Sequence, residues 1–220
     1  MITPTEIKQN EQIRTYIEKA DEALAALGYT EHSYAHVTRV AHFAEKIMAD
    51  LGYEPALELV ERLKERARKE KITQSEDNRI DHAQSGAVMA FRILDKLGMP
   101  ADEIATVCSA IGNHDEGTGV PVNAVAAALI LADKADVRRS RVRNQDTTTF
   151  DIHDRVNYSV KKSTLKINED RTLVKLKLTV DTHFGSVMDY FEIFMQRMIL
   201  CRKAAEKLGL QFKLIITSSS

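Results

Sequence analysis

Apolar positions recur at helical spacing through the first two thirds of the 220-residue chain. Ile13, Ile17, Ala20, Leu24 and Leu27 keep that spacing until Gly28 interrupts it, which predicts a first helix. Thr30 is suited to cap a second helix through Tyr34, Val37, Ala41, Ala44 and Ile47. Asp81 and Gln84 have capping-box spacing and open a third, carrying Ala87, Phe91, Leu94 and Leu97 up to Gly98. After Pro100 a short helix runs through Ile104, Val107 and Ile111 to Gly112. Pro121 suits the first position of the next helix, whose apolar residues include Val125, Leu129 and Ile130.

The period changes after about Asn144. Val174, Leu176, Leu178 and Val180 alternate with Lys175, Lys177 and Thr179, the period-two pattern of a strand with one buried face. The NEDR segment before it suits a hairpin loop, and Leu165 and Ile167 supply the partner strand. Ser186 and Asp189 can open a helix through Val187, Tyr190, Phe194, Met198 and Cys201 that stops at Gly209, after which Phe212 to Ile216 reads as another strand. The expected organisation is a mainly α helical domain over residues 1–143 with a small α+β (ββαβ) appendage over residues 144–220.

Composition narrows the classes of function. Charged residues make up 29% of the chain, but 31 Lys and Arg against 32 Asp and Glu leave a formal net charge of -1, so no overall field draws the protein to nucleic acid or to a membrane surface. The arginines at 138, 139, 141 and 143 form a local basic cluster. They sit where a helix C-terminus favours cations and read as a solvated helix end; no aromatic stacking pattern accompanies them, so a nucleic-acid partner is not expected. No apolar run approaches the roughly 20 residues of a membrane span, and MITPTEIKQNEQ lacks the apolar core of a signal peptide. Cys108 and Cys201 both fall in apolar helical patterns as small buried side chains, which fits a reducing cytoplasm.

Four residues in separate stretches carry candidate chemistry: His36, His82, His114 and Asp133. Three imidazoles and a carboxylate suit a divalent transition metal (Mn, Fe, Ni or Zn), and without a thiolate they do not form a structural zinc cage. On separate helices, the four can be aimed at one point. Taken singly, each histidine is an ordinary surface or satisfied core residue. Asp133 is different, because it interrupts the apolar run AVAAALILADKAD, where an unpaired buried carboxylate is costly. Arg39 and Lys134 adjoin the proposed ligands and suit the charge of a substrate phosphate.

These stretches resemble the motifs of the HD-domain metal-dependent phosphohydrolases, in their multi-histidine branch. EHSYAHVTRV is similar to the first motif and maps onto His36, Arg39 and Val40; DHAQSGA resembles the additional histidine motif and maps onto His82. NHDEGTGVP is similar to the HHE and GYP segment of the cyclic-dinucleotide phosphodiesterases, with His114 matching a histidine, Asn113 replacing its neighbour and Val120 replacing the tyrosine. ALILADKAD looks like the final aspartate motif, which makes Asp133 a ligand. The resemblance covers roughly residues 30 to 140. It implies an HD-domain helical bundle, a metal held by His36, His82, His114 and Asp133, and a nucleotide or other phosphoester as substrate.

One motif of that family has no counterpart. Its namesake adjacent His-Asp pair would fall between His36 and His82, where eight of the ten residues from Arg62 to Lys71 are charged and Leu57, Val60, Leu63 and Ala67 leave only a narrow apolar stripe. That segment reads as a solvent-facing helix, with Glu76 and Asp77 the nearby carboxylates. Two expectations follow: a phosphohydrolase with a weakly bound metal, or a scaffold without catalysis that binds a nucleotide or phosphate and acts as a regulatory module. A homo-oligomer is open in either case. The pairs His114-Asp115 and His153-Asp154 are the other adjacent His-Asp sequences; the first falls at the later histidine motif, with Asp115 a further candidate ligand, and the second either lines a pocket or begins a strand.

Overall fold

A computed structural model describes residue 22 and residues 34–53, 82–184 and 187–219. The expected first helix, the Thr30 and Asp81 caps, Ser186 and the charged segment between Glu61 and Asn78 lie outside the described residues. The described chain is mostly helical, with a small three-stranded sheet near its C-terminal end.

Helix α1 (Tyr34–Asp50) buries Val40, Ala41, Ala44, Ile47 and Met48 along one stripe. Helices α2 (His82–Lys96) and α3 (Ala101–Gly112) pack on each other, and Gly98, with φ 69°, supplies the left-handed residue that ends α2. Helix α4 (Ala124–Ala135) is apolar on every side up to its last turn and packs on α1, α3 and the last long helix, so it forms the centre of the bundle. Ala126, Ala127, Ala128, Ala132 and Ala135 are each fully buried, and their small side chains let the neighbouring elements approach. Pro121 does not start this helix. Asn123 caps it, its side-chain oxygen accepting the Ala126 N–H at 2.8 Å, and Pro121 stays in the extended lead-in.

Two short 3-10 turns, Arg139–Arg141 and Thr147–Thr149, lead into α5 (Ile152–Ser159). The sequence pattern held no helix here. Asp151 creates one by accepting the Asp154 N–H at 2.7 Å, and His153 lies exposed in its first turn. Strands β1 (Val160–Ile167) and β2 (Leu173–Asp181) form an antiparallel hairpin whose loop is tied by Asn168, which accepts the N–H groups of Thr172 and Leu173. Helix α6 (Val187–Lys207) then crosses to β3 (Gln211–Ser219), which runs parallel to β2. The order β1-β2-β3 completes a ββαβ unit.

Val174, Leu176, Leu178 and Val180 turn to the core while Lys175 and Lys177 face solvent, as the alternation requires. Tyr190, Phe194, Cys201 and Ala204 of α6 join α4 and the strand residues in one continuous hydrophobic core. Ser163 of β1 donates to the Ala135 carbonyl at 2.6 Å, fastening the C-terminal end of α4 to the sheet. Cys201 is buried, and burial pushes its thiol up to about 12; Cys108 is half-buried. No helix among the described residues is long and apolar enough to cross a membrane.

Candidate active site at the end of the central helix

The last turn of α4 delivers two carboxylates to one place. Asp133 and Asp136 are three residues apart, so they emerge on the same side, and the helix stops between them as Asp136 takes up φ -83° and ψ 65°. His36, in the first turn of α1, stands between the two. Its Nδ1 lies 2.7 Å from Asp136 Oδ2 and its Nε2 lies 3.2 Å from Asp133 Oδ1. In the closer contact Nδ1–H donates to Asp136, which orients the ring and turns Nε2 toward Asp133.

Asp136 is fully buried and collects cations. Besides His36, its Oδ1 receives Arg39 Nε at 3.0 Å and Arg138 Nε at 3.1 Å, and its backbone carbonyl accepts from Arg141 Nη1 at 2.9 Å. Burial alone would raise its carboxyl, but the His36 hydrogen bond and the neighbouring positive charges outweigh it and hold the group below the usual carboxylate range. The arginines after α4 are therefore not a solvated helix end. Arg138 and Arg141 turn inward onto Asp136, and Arg139 reaches Asp181 at 3.3 Å and the Tyr158 carbonyl at 2.7 Å while stacking on the Tyr158 and Phe184 rings.

On the other side, Lys134 is buried and bridges two carboxylates, Asp133 Oδ2 at 2.8 Å and Glu116 Oε1 at 3.1 Å. Arg197 of α6 closes this chain by donating from Nε to Glu116 Oε1, its guanidinium lying 4.7 Å from the centre of the Phe194 ring. Burial would raise the Glu116 carboxyl, but Lys134 and Arg197 prevail and lower it to about 2. Asp133 is likewise held well below the ordinary range: burial opposes this, and Lys134, His36 and, more weakly, His114 overcome it. For Lys134 burial would lower the ammonium, and Asp133 with Glu116 raise it instead.

Of the residues singled out from sequence, His36 and Asp133 meet directly. His114 is buried at the end of α3, its Nδ1 hydrogen-bonded to the Ile111 carbonyl at 2.7 Å, and it is near enough for its charge to act on Asp133. His82 opens α2, and its side chain lies outside the described residues. Asp115 is occupied within its own loop, accepting the Gly117 N–H at 3.0 Å. Arg39 is 43% exposed at its side chain and is held by Asp136 and, at 3.4 Å, by the Ser163 carbonyl. His183 donates to Asp181 at the end of β2.

Sequence reasoning missed Asp136, Glu116 and Arg197. Two of them carried a signal: Asp136 is a second acid at the end of the apolar run, three residues past Asp133, and Arg197 falls on the apolar stripe Tyr190, Phe194, Cys201 of an amphipathic helix. Among the described residues no group of three or more His, Cys, Asp or Glu side chains is placed to hold a metal ion. His36 and Asp133 make a pair of the right chemistry. Two ligand atoms about 2.1 Å from one ion stand about 3.0 Å apart at a right angle and about 3.4 Å apart at the tetrahedral angle, and Nε2 to Oδ1 is 3.2 Å. Comparison of the chain with protein-family models, with curated proteins and with solved structures found no match.

Proposed function

We propose that the chain is a metal-dependent phosphohydrolase of the HD-domain type, acting on a nucleotide or another phosphoester. The carrying observation is the His36–Asp133 pair. His36 Nε2 and Asp133 Oδ1 face each other at 3.2 Å, and with the imidazole neutral that spacing suits two ligands of one ion. In this reading His36, Asp133, His114 and His82 hold a divalent transition metal, His36 being oriented through Nδ1 by Asp136. A metal bound there supplies Lewis acidity and lowers the pKa of its water. Arg39, partly exposed beside the pair, attracts and orients the phosphate. Lys134 is buried between Asp133 and Glu116, and in this reading its charge and its third N–H favour the substrate phosphate.

The same lysine favours a second reading. An ammonium 2.8 Å from Asp133 Oδ2 already neutralises the carboxylate that a metal needs. With five cations, Arg39, Lys134, Arg138, Arg141 and Arg197, around three carboxylates, Asp133, Asp136 and Glu116, the region carries a positive excess suited to a nucleotide or phosphate bound without hydrolysis.

Manganese titration by calorimetry, repeated on His36→Ala, separates the two. The hydrolase predicts saturable metal binding lost in the variant, together with cleavage of a nitrophenyl phosphodiester that stops with EDTA. Saturable nucleotide binding indifferent to EDTA, with no metal uptake, would discard the hydrolase in favour of the binding module.

A further inference from the structure

The two edges of the sheet are built differently. On β1, the exposed positions 161, 162 and 166 are all lysines, the charged side chains that discourage a foreign strand from adding to an edge. On β3, Lys213 is the sole charge in nine residues, and Leu214 to Ser219 contains no charge, proline or glycine. Among the described residues β3 pairs only with β2, so its outer row of N–H and C=O groups faces away from the ladder. Its side chains from Leu214 to Thr217 are half-buried. An edge that is long, uncharged and β-branched is a template for strand addition.

We propose that β3 pairs antiparallel with β3 of a second copy of this chain, forming a dimer with one continuous six-stranded sheet. The argument for a second copy is self-complementarity. A two-fold axis perpendicular to the sheet keeps each residue on its own face, so it must pass through a residue, and the midpoint Ile215 gives full overlap of Gln211–Ser219. In that register Lys213 lies opposite Thr217 and never opposite another charge. Leu214 lies opposite Ile216, and Phe212 flanks them on the same face, the one that β2 continues with Val174, Leu176 and Leu178. The half-buried apolar row of each copy is then covered by the other. Lysines 161, 162 and 166 keep the β1 edge from doing the same, so association closes at two copies and does not propagate.

Light scattering on the full-length chain after size exclusion tests this, the expected mass being twice 24.8 kDa. Ile215→Lys combined with Thr217→Lys sets like charges opposite each other at the dyad and at both 213–217 pairs. That variant is expected to keep its circular dichroism spectrum and run as a single chain. A second variant stands independently of its folding. Ile215→Cys places two thiols across the dyad with Cα atoms about 4.5–5.5 Å apart, within disulfide range, and mild oxidation is expected to give a covalent dimer. Lys162→Cys on the β1 edge is expected to give none. A parent chain of 24.8 kDa at all concentrations overturns the proposal, as does a folded dimer indifferent to the lysine pair or equal cross-linking from both cysteine positions.

Discussion

Asp136→Asn tests the keystone of the site with the smallest change of shape. The carboxylate uses both oxygens as acceptors: Oδ2 for His36 Nδ1 at 2.7 Å, and Oδ1 for Arg39 at 3.0 Å and Arg138 at 3.1 Å. An asparagine keeps one oxygen. Whichever way its amide turns, the NH2 meets a donor, either the imidazole N–H or the guanidinium pair, and a negative charge is lost from a fully buried position beside cations. Losing one charge-assisted bond costs about 1.5–3 kcal/mol, and the donor left facing an N–H adds about 1–2 kcal/mol. A total of about 3–4 kcal/mol matches what breaking a buried pair generally costs. With an m-value of about 2–3 kcal/mol per molar urea, the midpoint should fall by about 1–2 M. Urea denaturation followed by far-ultraviolet circular dichroism measures it. The variant should also lower manganese affinity by about 10–100-fold, because Asp136 sets the orientation of His36. A midpoint shift below about 0.3 M would show that His36, Arg39 and Arg138 do not depend on this carboxylate, and the account of the site would fail.

Three further outcomes are expected. A Cβ on Gly119 would lie 2.1 Å from the Asp115 carbonyl oxygen and 2.8 Å from that of Asn113, both backbone atoms that cannot swing aside, so Gly119→Ala should displace the loop carrying Glu116 and cost at least about 2 kcal/mol by the same denaturation assay. In a double-mutant cycle, Glu116→Gln and Arg197→Met should couple by about 1–3 kcal/mol, and additive single effects would show that the ion pair contributes nothing net. The His183 hydrogen bond lowers the Asp181 carboxyl, and against the opposing effect of burial Lys161 and Arg139 lower it further. Its stabilisation is then complete above the unfolded carboxyl range near 4 and fades as pH falls below it. Thermal midpoints of the parent and Asp181→Asn should accordingly differ most at neutral pH and converge in acid, whereas a gap that widens on acidification would contradict the sign.

What could be read from sequence divides along a physical line. The helices that follow one another through α4 were legible because a buried stripe imposes its period locally, and the β2 alternation was legible for the same reason. His36 and Asp133 stood out through their local motifs. Arg197 was not paired with Glu116 in advance because the two are 81 residues apart, and no local pattern reports which acid meets which base. The arginines after α4 looked solvated for a related reason: a cation at a helix end is already explained by the dipole, which masks the buried Asp136 that draws two of them inward. Pro121 misled because it is acceptable at the start of a helix without being needed there, whereas Asn123 supplies a cap bond. The short helix after Asp151 depends on one capping aspartate, too little to rise above the surrounding polar sequence.

The wall behind Asp133 and Asp136 is made largely of alanine, with Ala126, Ala127, Ala128, Ala132 and Ala135 all fully buried. A leucine or methionine in such a place can exchange one rotamer for another and so absorb a displacement; an alanine has no χ angle to turn. A shift of α4 at these positions is passed to its neighbours α1, α3 and α6 with no rotamer change of its own to absorb it. The contacts at His36 then rest partly on side chains that have no alternative conformation, and Ala132→Val, beside Asp133, or Ala128→Ser, one turn further back, would disturb them without altering a charge.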